Sequence, residues 1–458
     1  MKFCPECGAK YDGGGICRTC HTRFSPRNVS DDEMHELLLF RDFKFERVGG
    51  GIHLISCINK EIEEFTAPAF VSAISPACFK GCDALETVDL SATAIKELPS
   101  SAFCDCTELC RIALPKDLEV IGPYAFSGCT NLDNLTLPEG LTEIGDRAFL
   151  GCDGLFTLSL PTTLAHVGEK AFAGCEVLCE LHIRDLAAFC RITFEDPESN
   201  PTYYAEGIRL NGVDLCDLRL PDEITRLLPF AFACCVWLES LHVPANVQID
   251  PLAFYRCDSL ESITVDPAHR LYTVKDNCLL KRDGSLLLAA AYTDIPATVK
   301  RVCRGALCVD PAREELVLPR GAVAERGALF GCCGLTTLER SLPLGEAAAV
   351  SLRELCTVDV RGREIVHTMY EPMHSLARLV ITEAARLERG FFYEAPATLA
   401  HLTLPDNLTT INPGLLGDLK LKSLTIPRSV TNILPPFYGH AVEKLSVAPG
   451  GRYILREG

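Results

Sequence analysis

Four cysteines near the start of the chain have the spacing of metal ligands. They form two Cys-x-x-Cys pairs, Cys4 with Cys7 and Cys17 with Cys20, and nine residues separate the pairs. Each pair offers two sulfurs from one tight turn, and two pairs complete the tetrahedral four-sulfur site that zinc favours. Four thiolates leave no open coordination position, so the pattern predicts a structural zinc ion.

Residues 1–24 resemble a short zinc ribbon, with Gly8 and the glycines at 13–15 supplying turn freedom. A head this small has almost no core. Zinc binding, about 10–16 kcal/mol in comparable peptides, would therefore supply its folding energy. Two alternatives stay open: a thioredoxin-like redox pair uses the same local motif, although the strand–helix–strand context is missing, and His21 could replace one sulfur.

The rest of the chain repeats one sequence motif, and these repeats must form the main domain to which the N-terminal zinc ribbon is attached. In each copy a phenylalanine is followed three residues later by cysteine, and then by a Leu-x-x-Leu-x-Leu pattern. The phenylalanines are Phe79, Phe103, Phe126, Phe149, Phe172, Phe232 and Phe254. The first four gaps are 24, 23, 23 and 23 residues, and a period of roughly 20–29 residues is typical of a leucine-rich solenoid.

One unit, residues 126–145, explains why such copies stack. Leu135 and Leu137 alternate with polar residues, as in a short strand with one buried face. Pro138 ends the strand because it cannot donate to a ladder. Phe126 is predicted to fill the interior, and Gly145 is predicted to adopt a backbone angle that other residues resist. One unit cannot cover these groups alone, so neighbouring units must stack.

The cysteine of each motif is interpreted as a small buried apolar residue that donates weakly to a backbone oxygen. This column comprises Cys82, Cys106, Cys129, Cys152, Cys175, Cys235, Cys257 and Cys332. A row of redox or metal thiols is the alternative. It is disfavoured because packing demands one such residue per repeat, whereas no reactive site needs eight copies.

The segment from Ala125 to Pro138, Ala-Phe-Ser-Gly-Cys-Thr-Asn-Leu-Asp-Asn-Leu-Thr-Leu-Pro, resembles the BspA-type leucine-rich repeat family. The resemblance extends over about residues 40–450. It implies a β-rich α/β fold: a leucine-rich-repeat solenoid with a parallel sheet on its concave face. Members of that family are often exported surface proteins that bind other proteins, so the resemblance implies a binding role.

The predicted organisation has four parts. A zinc ribbon occupies residues 1–24, a polar linker 25–36 and an N-terminal cap 37–75. The solenoid fills 76–458, with irregular insertions near 184–220, 266–300 and 341–390. Two strands, 43–48 and 52–58, are expected to form a hairpin in the cap, and a turn is expected at 281–284.

Residues that alternate with the buried strand leucines should face outward and form an extended polar surface, the kind solenoids use for partners. The candidate binding residues are Arg111, Asn134, Thr136, Thr157, Glu180, His182, Ser240 and His242. This surface contains few Trp, Tyr or Arg residues, the usual hot-spot types. An ordinary solvated β face is therefore the alternative. Trp237 is expected to be partly exposed.

Charge and composition narrow the function. The chain has 458 residues and a net charge of −17, yet its first 30 residues hold five basic and two acidic side chains. An acidic array repels phosphate backbones, so nucleic acid is an unlikely partner for the solenoid and a possible one for the head. We find no H-E-x-x-H, G-x-S-x-G or Walker pattern, which favours a non-enzymatic protein.

The sequence contains 25 cysteines, and it lacks both a secretory h-region and an apolar stretch long enough to span a bilayer. We therefore expect a cytoplasmic location with reduced thiols. The preferred hypothesis is a protein-binding scaffold with a zinc ribbon as second docking module. A zinc-ribbon adaptor on nucleic acid or the ribosome and a cell-surface adhesin are the alternatives.

Overall fold

The computed structural model describes most of the repeat region. The described residues are 2–3, 10–11, 41–48, 51–341, 350–361, 366–384, 387, 391–392, 394–411, 415–416, 419–433, 442–450 and 454–455. They fall into two compact units, Met1–Asp214 and Leu215–Gly458. The repeat pattern did not indicate this division. Strands, mostly in parallel pairs, dominate both units, and the described helices are only three or four residues long.

The first unit contains two kinds of strand in each repeat, one of about three residues and one of two. The longer strands are Glu64–Thr66, Thr87–Asp89, Arg111–Ala113, Asn134–Thr136, Thr157–Ser159, Glu180–Ile183 and Gly207–Leu210, with Val213–Asp214 turning back antiparallel. The shorter strands are Glu97–Leu98, Val120–Ile121, Glu143–Ile144, His166–Val167 and Thr193–Phe194. Within each sheet, each kind pairs in parallel with its counterpart in the next repeat, and the longer strands form two sheets that divide between Arg111–Ala113 and Asn134–Thr136.

Before the repeats lie the antiparallel pairs Lys2–Phe3 with Lys10–Tyr11 and Phe43–Val48 with Gly51–Cys57, followed by Val71–Ile74. The second pair confirms the predicted hairpin. Phe43 from this hairpin packs its ring 4.8 Å from Phe65 and 5.4 Å from Phe79. The hairpin therefore covers the apolar end of the first repeat, which water would otherwise reach.

The repeated phenylalanines form a continuous internal stack in the first unit. Centroid distances from Phe79 through Phe103, Phe126 and Phe149 to Phe172 are 4.8, 5.5, 5.2 and 5.2 Å. Successive rings are tilted by 18° or less, and all five side chains are fully buried. The ring spacing follows the rise between neighbouring strands, about 4.8 Å, so each ring sits in register with its repeat.

The cysteine column is structural, as the sequence predicted. The Cys129 thiol donates to the carbonyl oxygen of Phe103 at 3.1 Å, and the Cys152 thiol to that of Phe126 at 3.2 Å. Cys175 repeats the pattern with Phe149. Burial raises the pKa of the Cys175 thiol to about 12, so the neutral donor form is favoured. The described cysteines are all free.

The prediction that Gly145 adopts a backbone angle unfavourable to other residues was wrong. Its φ lies outside the left-handed region. Instead, a Cβ at this position would lie 2.6 Å from the backbone nitrogen of Pro123 in the preceding repeat. Close approach of two backbones therefore requires this glycine.

The left-handed positions of the repeat fall elsewhere, two residues before each buried phenylalanine. They are occupied by Ala77, Ser101, Tyr124, Arg147 and Lys170. These residues point their amide groups at the next repeat; for example, Tyr124 N donates to Asp146 O at 3.0 Å. The left-handed backbone angle, near +55°, thus accompanies a hydrogen bond between repeats. The residue types at these positions do not predict that angle.

The irregular stretch near 184–220 replaces one turn of the repeat with short helices. They are Leu186–Phe189, Pro197–Ser199 and Pro201–Tyr203. Asp185 begins the first by accepting from Ala188 N, and Asp196 caps the second by accepting from Ser199 N. Despite this detour, Gly207–Leu210 rejoins the parallel ladder beside Glu180–Ile183.

The second unit mixes parallel ladders with inserted antiparallel strands. Its longer parallel strands are Asp217–Arg219, Ser240–Val243 and Ser262–Val265 in one sheet, and Glu315–Val317, Thr337–Ser341, Arg378–Glu383, His401–Thr403, Leu421–Ile426 and Val442–Val447 in another. The two-residue strands are Arg226–Leu227, Gln248–Ile249, Arg301–Val302, Val323–Ala324, Thr410–Ile411, Asn432–Ile433 and Ile454–Leu455.

Two insertions interrupt these ladders. The first contains strands Tyr272–Lys275, Cys278–Lys281 and Ser285–Ala289, with the predicted turn at 281–284 confirmed by Gly284 at φ 84°. The second contains helix Leu352–Leu355 and the pair Thr357–Arg361 with Val366–Tyr370. A 3-10 turn, Pro251–Phe254, supplies the buried Phe254.

Candidate partner-binding face

The outward side chains of the first unit form two rows along the parallel strands, and we call this surface the long-strand face. Register places Asn134, Thr157, Glu180 and Gly207 in one row and Thr136, Ser159, His182 and Arg209 in the other. The residues between the rows, Leu135, Leu158 and Leu181, are at most 2% exposed. The alternation is thus that of a half-buried sheet, as the sequence predicted.

The predicted residues on this face differ in exposure. Asn134 and Thr136 are exposed, whereas Thr157, Glu180 and His182 are half-buried. The Thr and Ser side chains in the middle of the face are short, so this part of the surface is polar and does not protrude. Charge collects at the Glu180 end.

At that end a cluster of four charged or titratable side chains forms around Glu180. Its Oε1 lies 2.9 Å from Arg209 Nη1, and its Oε2 lies 3.1 Å from His182 Nε2. Arg209 also contacts Asp214, with 3.2 Å between Nε and Oδ1. One carboxylate therefore orients both a guanidinium and an imidazole at the surface.

Sequence reasoning missed Arg209 and Asp214 because they follow the irregular stretch, where the period fails. The available signal was the Leu210-Asn211-Gly212 segment, which turns the chain back so that Leu210 pairs with Val213. Recognising that turn would have identified Gly207–Leu210 as a strand and Arg209 as an outward residue.

Arg111 lies on a different parallel sheet of the first unit, formed by Glu64–Thr66, Thr87–Asp89 and Arg111–Ala113. Its register partner is Thr87, and its side chain is exposed. The structure therefore does not place Arg111 in either row of the long-strand face.

Ser240 and His242 belong to the second unit, where they form a separate polar cluster. The Ser240 hydroxyl donates to Asp217 Oδ1 at 2.5 Å. His242 Nδ1 lies 3.0 Å from Thr264 Oγ1, and its Nε2 lies 3.5 Å from Arg219 Nη2. The predicted binding residues Glu180 and His182 therefore belong to one local cluster, and Ser240 and His242 belong to another in the second unit. Trp237, in this unit, is half-buried as expected.

The predicted zinc ligands Cys4, Cys7, Cys17 and Cys20 lie outside the described residues, as does the linker at 25–36. The described strands Lys2–Phe3 and Lys10–Tyr11 pair antiparallel and flank the sequence that contains the first Cys-x-x-Cys. Within the described ranges, no group of three or more His, Cys, Asp or Glu side chains could hold a metal. None of the helices found in those ranges has the length and apolarity to cross a membrane.

Several solved structures are similar to this chain. A leucine-rich repeat protein of T. pallidum is 23% identical, with a TM-score of 0.31, over 44% of this chain and 79% of that one. A leucine-rich cell surface protein from Faecalibacterium prausnitzii is 18% identical, with a TM-score of 0.40, over 89% and 93%. A leucine-rich repeat protein from Bacteroides ovatus is 19% identical, with a TM-score of 0.40, over 90% and 88%.

No curated protein sequence matches the chain. The model of the BspA type leucine-rich repeat region matches six copies, over residues 53–179, 210–302 and 364–444. These ranges cover about two thirds of the chain and contain the stacked phenylalanines, the cysteine column apart from Cys332, and the polar cluster of Ser240 and His242. The chain belongs to the BspA-type leucine-rich repeat family.

Proposed function

We propose that this protein is a non-catalytic scaffold that binds a partner protein through the long-strand face. The observation that carries the proposal is the cluster of Glu180, His182 and Arg209. A carboxylate held between two cationic or titratable groups is oriented for directional hydrogen bonds, and Arg209 adds the residue type most often found at binding hot spots.

The rest of the face supports the same role. Within each row, neighbouring side chains lie about 4.8 Å apart because they belong to neighbouring strands, so the Asn, Thr and Ser residues form a regular array of hydrogen-bonding groups. The strands beneath are fixed by buried leucines, so the array is preorganised and little ordering entropy is lost on binding. Repeat proteins commonly bind partners through such extended surfaces.

A zinc ribbon formed by Cys4, Cys7, Cys17 and Cys20 is part of the proposal as a second docking module. The pairing of Lys2–Phe3 with Lys10–Tyr11 supports it, because a hairpin is the usual setting of a metal-binding Cys-x-x-Cys turn. Zinc would order the head and leave the chemistry of the repeats unchanged. Metal analysis of Cys4→Ser/Cys7→Ser, with loss of about one zinc per chain against the parent protein, tests this part.

The proposed location is the cytoplasm, and the free state of the described cysteines supports it. Fractionation of the native cell tests it. Recovery of the protein outside the cell with paired cysteines would contradict both the location and the reduced state of the thiols.

A pull-down with charge-matched variants tests the binding face. Asn134→Arg/Thr136→Arg adds two positive charges to exposed positions on the long-strand face. Glu97→Arg changes the charge by the same amount on a two-residue strand of the same unit, where the side chain is also exposed. We expect the first variant to lose the partner at least tenfold and the second to retain it. Equal retention by both variants would contradict the proposal.

A further inference from the structure

The first insertion of the second unit creates a cleft at a place where, in a regular solenoid, the next two-residue strand would pair. The strand Gln248–Ile249 pairs on one side with Arg226–Leu227. On its other side, Ile249 N donates to the hydroxyl of Tyr272 at 3.2 Å, so a side chain from the insertion supplies the acceptor. Three inserted strands then precede Arg301–Val302, which resumes the two-residue ladder beside Ser285–Ala289. The sheet therefore opens around Tyr272.

The cleft has a volume of about 760 Å³ and an unusually basic lining for an acidic protein. Its cations are Arg226, Arg270, Lys281, Arg282 and Arg304, against the three carboxylates of Asp250, Asp283 and Glu325. The compact unit that holds the cleft, residues 215–458, is nearly neutral, with 26 Lys and Arg against 28 Asp and Glu. The cleft lining is therefore more basic than the unit that carries it.

The carboxylates of the cleft are already engaged. Asp250 pairs with Arg304 and also accepts from Leu252 N at 3.1 Å. Glu325 lies 3.2 Å from Arg301 and accepts from Arg304 N. Asp283 accepts from Ser285 N at 2.9 Å. These acids therefore hold local structure, and Asp283 also attracts the nearby Lys281.

Two exposed cations, Arg226 and Arg270, remain available. Within the residues that the structure describes, Arg226, Arg270 and Lys281 form no ion pair, and both arginines are exposed. Lys281 lies against the buried thiol of Cys303. Arg282 is committed through Nη2 to the carbonyl oxygen of His269 at 2.6 Å. Beside these groups stands Leu271, which is 47% exposed and gives the cleft an apolar wall.

We propose that this cleft binds a small organic anion, a phosphate or carboxylate carried on a compact apolar body. Guanidinium groups match both oxyanions with two parallel hydrogen bonds, and Leu271 would cover the apolar part. The volume lies in the range of small-ligand pockets, about 300–1,000 Å³. A large acidic partner surface fits less well, because a cleft of this size offers far less contact area than a stable protein interface needs. This site is separate from the long-strand face and does not depend on the proposed function.

Calorimetric titration of the full-length protein with phenyl phosphate and with phenylacetate tests the site and distinguishes the two anions. Phenol is the uncharged control probe. We expect saturable binding of at least one anion at one site per chain, weaker at higher salt, and no binding of phenol. The variant Arg226→Gln/Arg270→Gln should weaken binding at least tenfold, because it removes two exposed cations.

Arg378→Gln/Arg428→Gln is the matched control, since both arginines are exposed, lie in the same unit and do not line the cleft. Its affinity should equal that of the parent, and all proteins should share one melting temperature. Equal weakening by both double variants would overturn the proposal, as would the absence of binding by both anions. Binding of a pentaglutamate peptide but neither small anion would also overturn it, in favour of an acidic protein segment.

Discussion

The regular repeats of the first unit and the interrupted repeats of the second share one sequence motif, but their phenylalanines pack differently. From Phe79 to Phe172, five rings stack without a break at 4.8–5.5 Å. In the second unit, Phe232 and Phe254 stack at 6.0 Å, and Phe330 instead packs on Tyr255 with a 35° tilt. Repetition alone therefore orders the first stretch, whereas insertions change the packing partners of the second.

Polar side-chain contacts take over where the repeats are interrupted. Arg304 joins Asp250, 54 residues earlier, and also donates to the carbonyl oxygen of Asp359. The Tyr255 hydroxyl donates to Glu371 at 2.9 Å across 116 residues. His269 is 1% exposed and bonds to Val247 O and Tyr272 N. The comparison teaches that, where the repeat period is broken, specific side-chain contacts must hold the segments together. The same break opens the sheet enough to form a cleft.

Replacing Phe126 by alanine should have the largest effect on stability. The substitution removes a ring from the middle of the stack and leaves a cavity between two rings that cannot collapse, which costs about 3–5 kcal/mol. Denaturant unfolding followed by circular dichroism measures this loss. Phe156→Ala is the control, because its ring is 46% exposed and should cost little. Similar losses for both would show that the stack does not carry the stability of the regular repeats.

Gly145→Ala should be the next most harmful change. The new methyl group would meet the backbone of Pro123 and force neighbouring repeats apart, at a cost of about 1–3 kcal/mol. Gly207→Ala is a matched control: it also lies in the first unit, and a Cβ there meets nothing within 4 Å. Thermal unfolding of the two variants compares them directly, and a control as unstable as Gly145→Ala would remove the argument from close approach.

Arg304→Ala should destabilise the second unit by about 1–2 kcal/mol, since it removes a partly exposed ion pair and leaves Asp250 nearly buried without its cation. Arg301→Ala, which breaks a more exposed pair with Glu325, should cost less than about 1 kcal/mol. Urea unfolding of both variants would reveal the difference. Equal effects would mean that polar contacts do not replace repetition in the interrupted region.

High pH should weaken the cysteine column of the first unit. The pKa of Cys175 is about 12 in the folded chain against an ordinary value of 9.0. Its contribution is therefore fully present below about pH 9 and is lost as the pH rises towards 12. We expect the stability gap between the parent and Cys175→Ala to shrink between pH 7 and pH 10.5. A gap independent of pH would contradict burial of a neutral thiol.

The smallest expected effect is a gain. Ala77 has φ 57°, a conformation that glycine adopts without penalty. Ala77→Gly should therefore raise stability by up to about 1 kcal/mol, partly offset by the entropy of the unfolded chain. Differential scanning calorimetry measures the change. A loss above about 1 kcal/mol would show that the left-handed angle is not the source of strain.

The stacked core was predictable because its signals are local and periodic. Phe126, Cys129 and Leu135 recur at fixed offsets, and the structure places all three in the core. The basis of Gly145 was not predictable in the same way, because close approach to Pro123 depends on the distance between repeats. A glycine alone does not distinguish that need from a left-handed backbone.

The candidate sites depended on contacts that spacing does not report. The outward position of Glu180 and His182 followed from alternation, yet Arg209 reaches Glu180 only after a 27-residue detour between paired positions. The basic cleft arises because strands 272–275 and 278–281 fold back beside Gln248–Ile249. Such side-chain convergence is a product of the insertion, and no motif in the sequence marks it.

Site-specific photo-crosslinking in the native cell tests the central claim most directly. A photoreactive amino acid is placed at position 136 on the long-strand face, or at position 97 on a two-residue strand of the same unit. The account predicts a discrete adduct with a partner protein from position 136, absent from position 97. An adduct from position 97 with none from position 136 would contradict it.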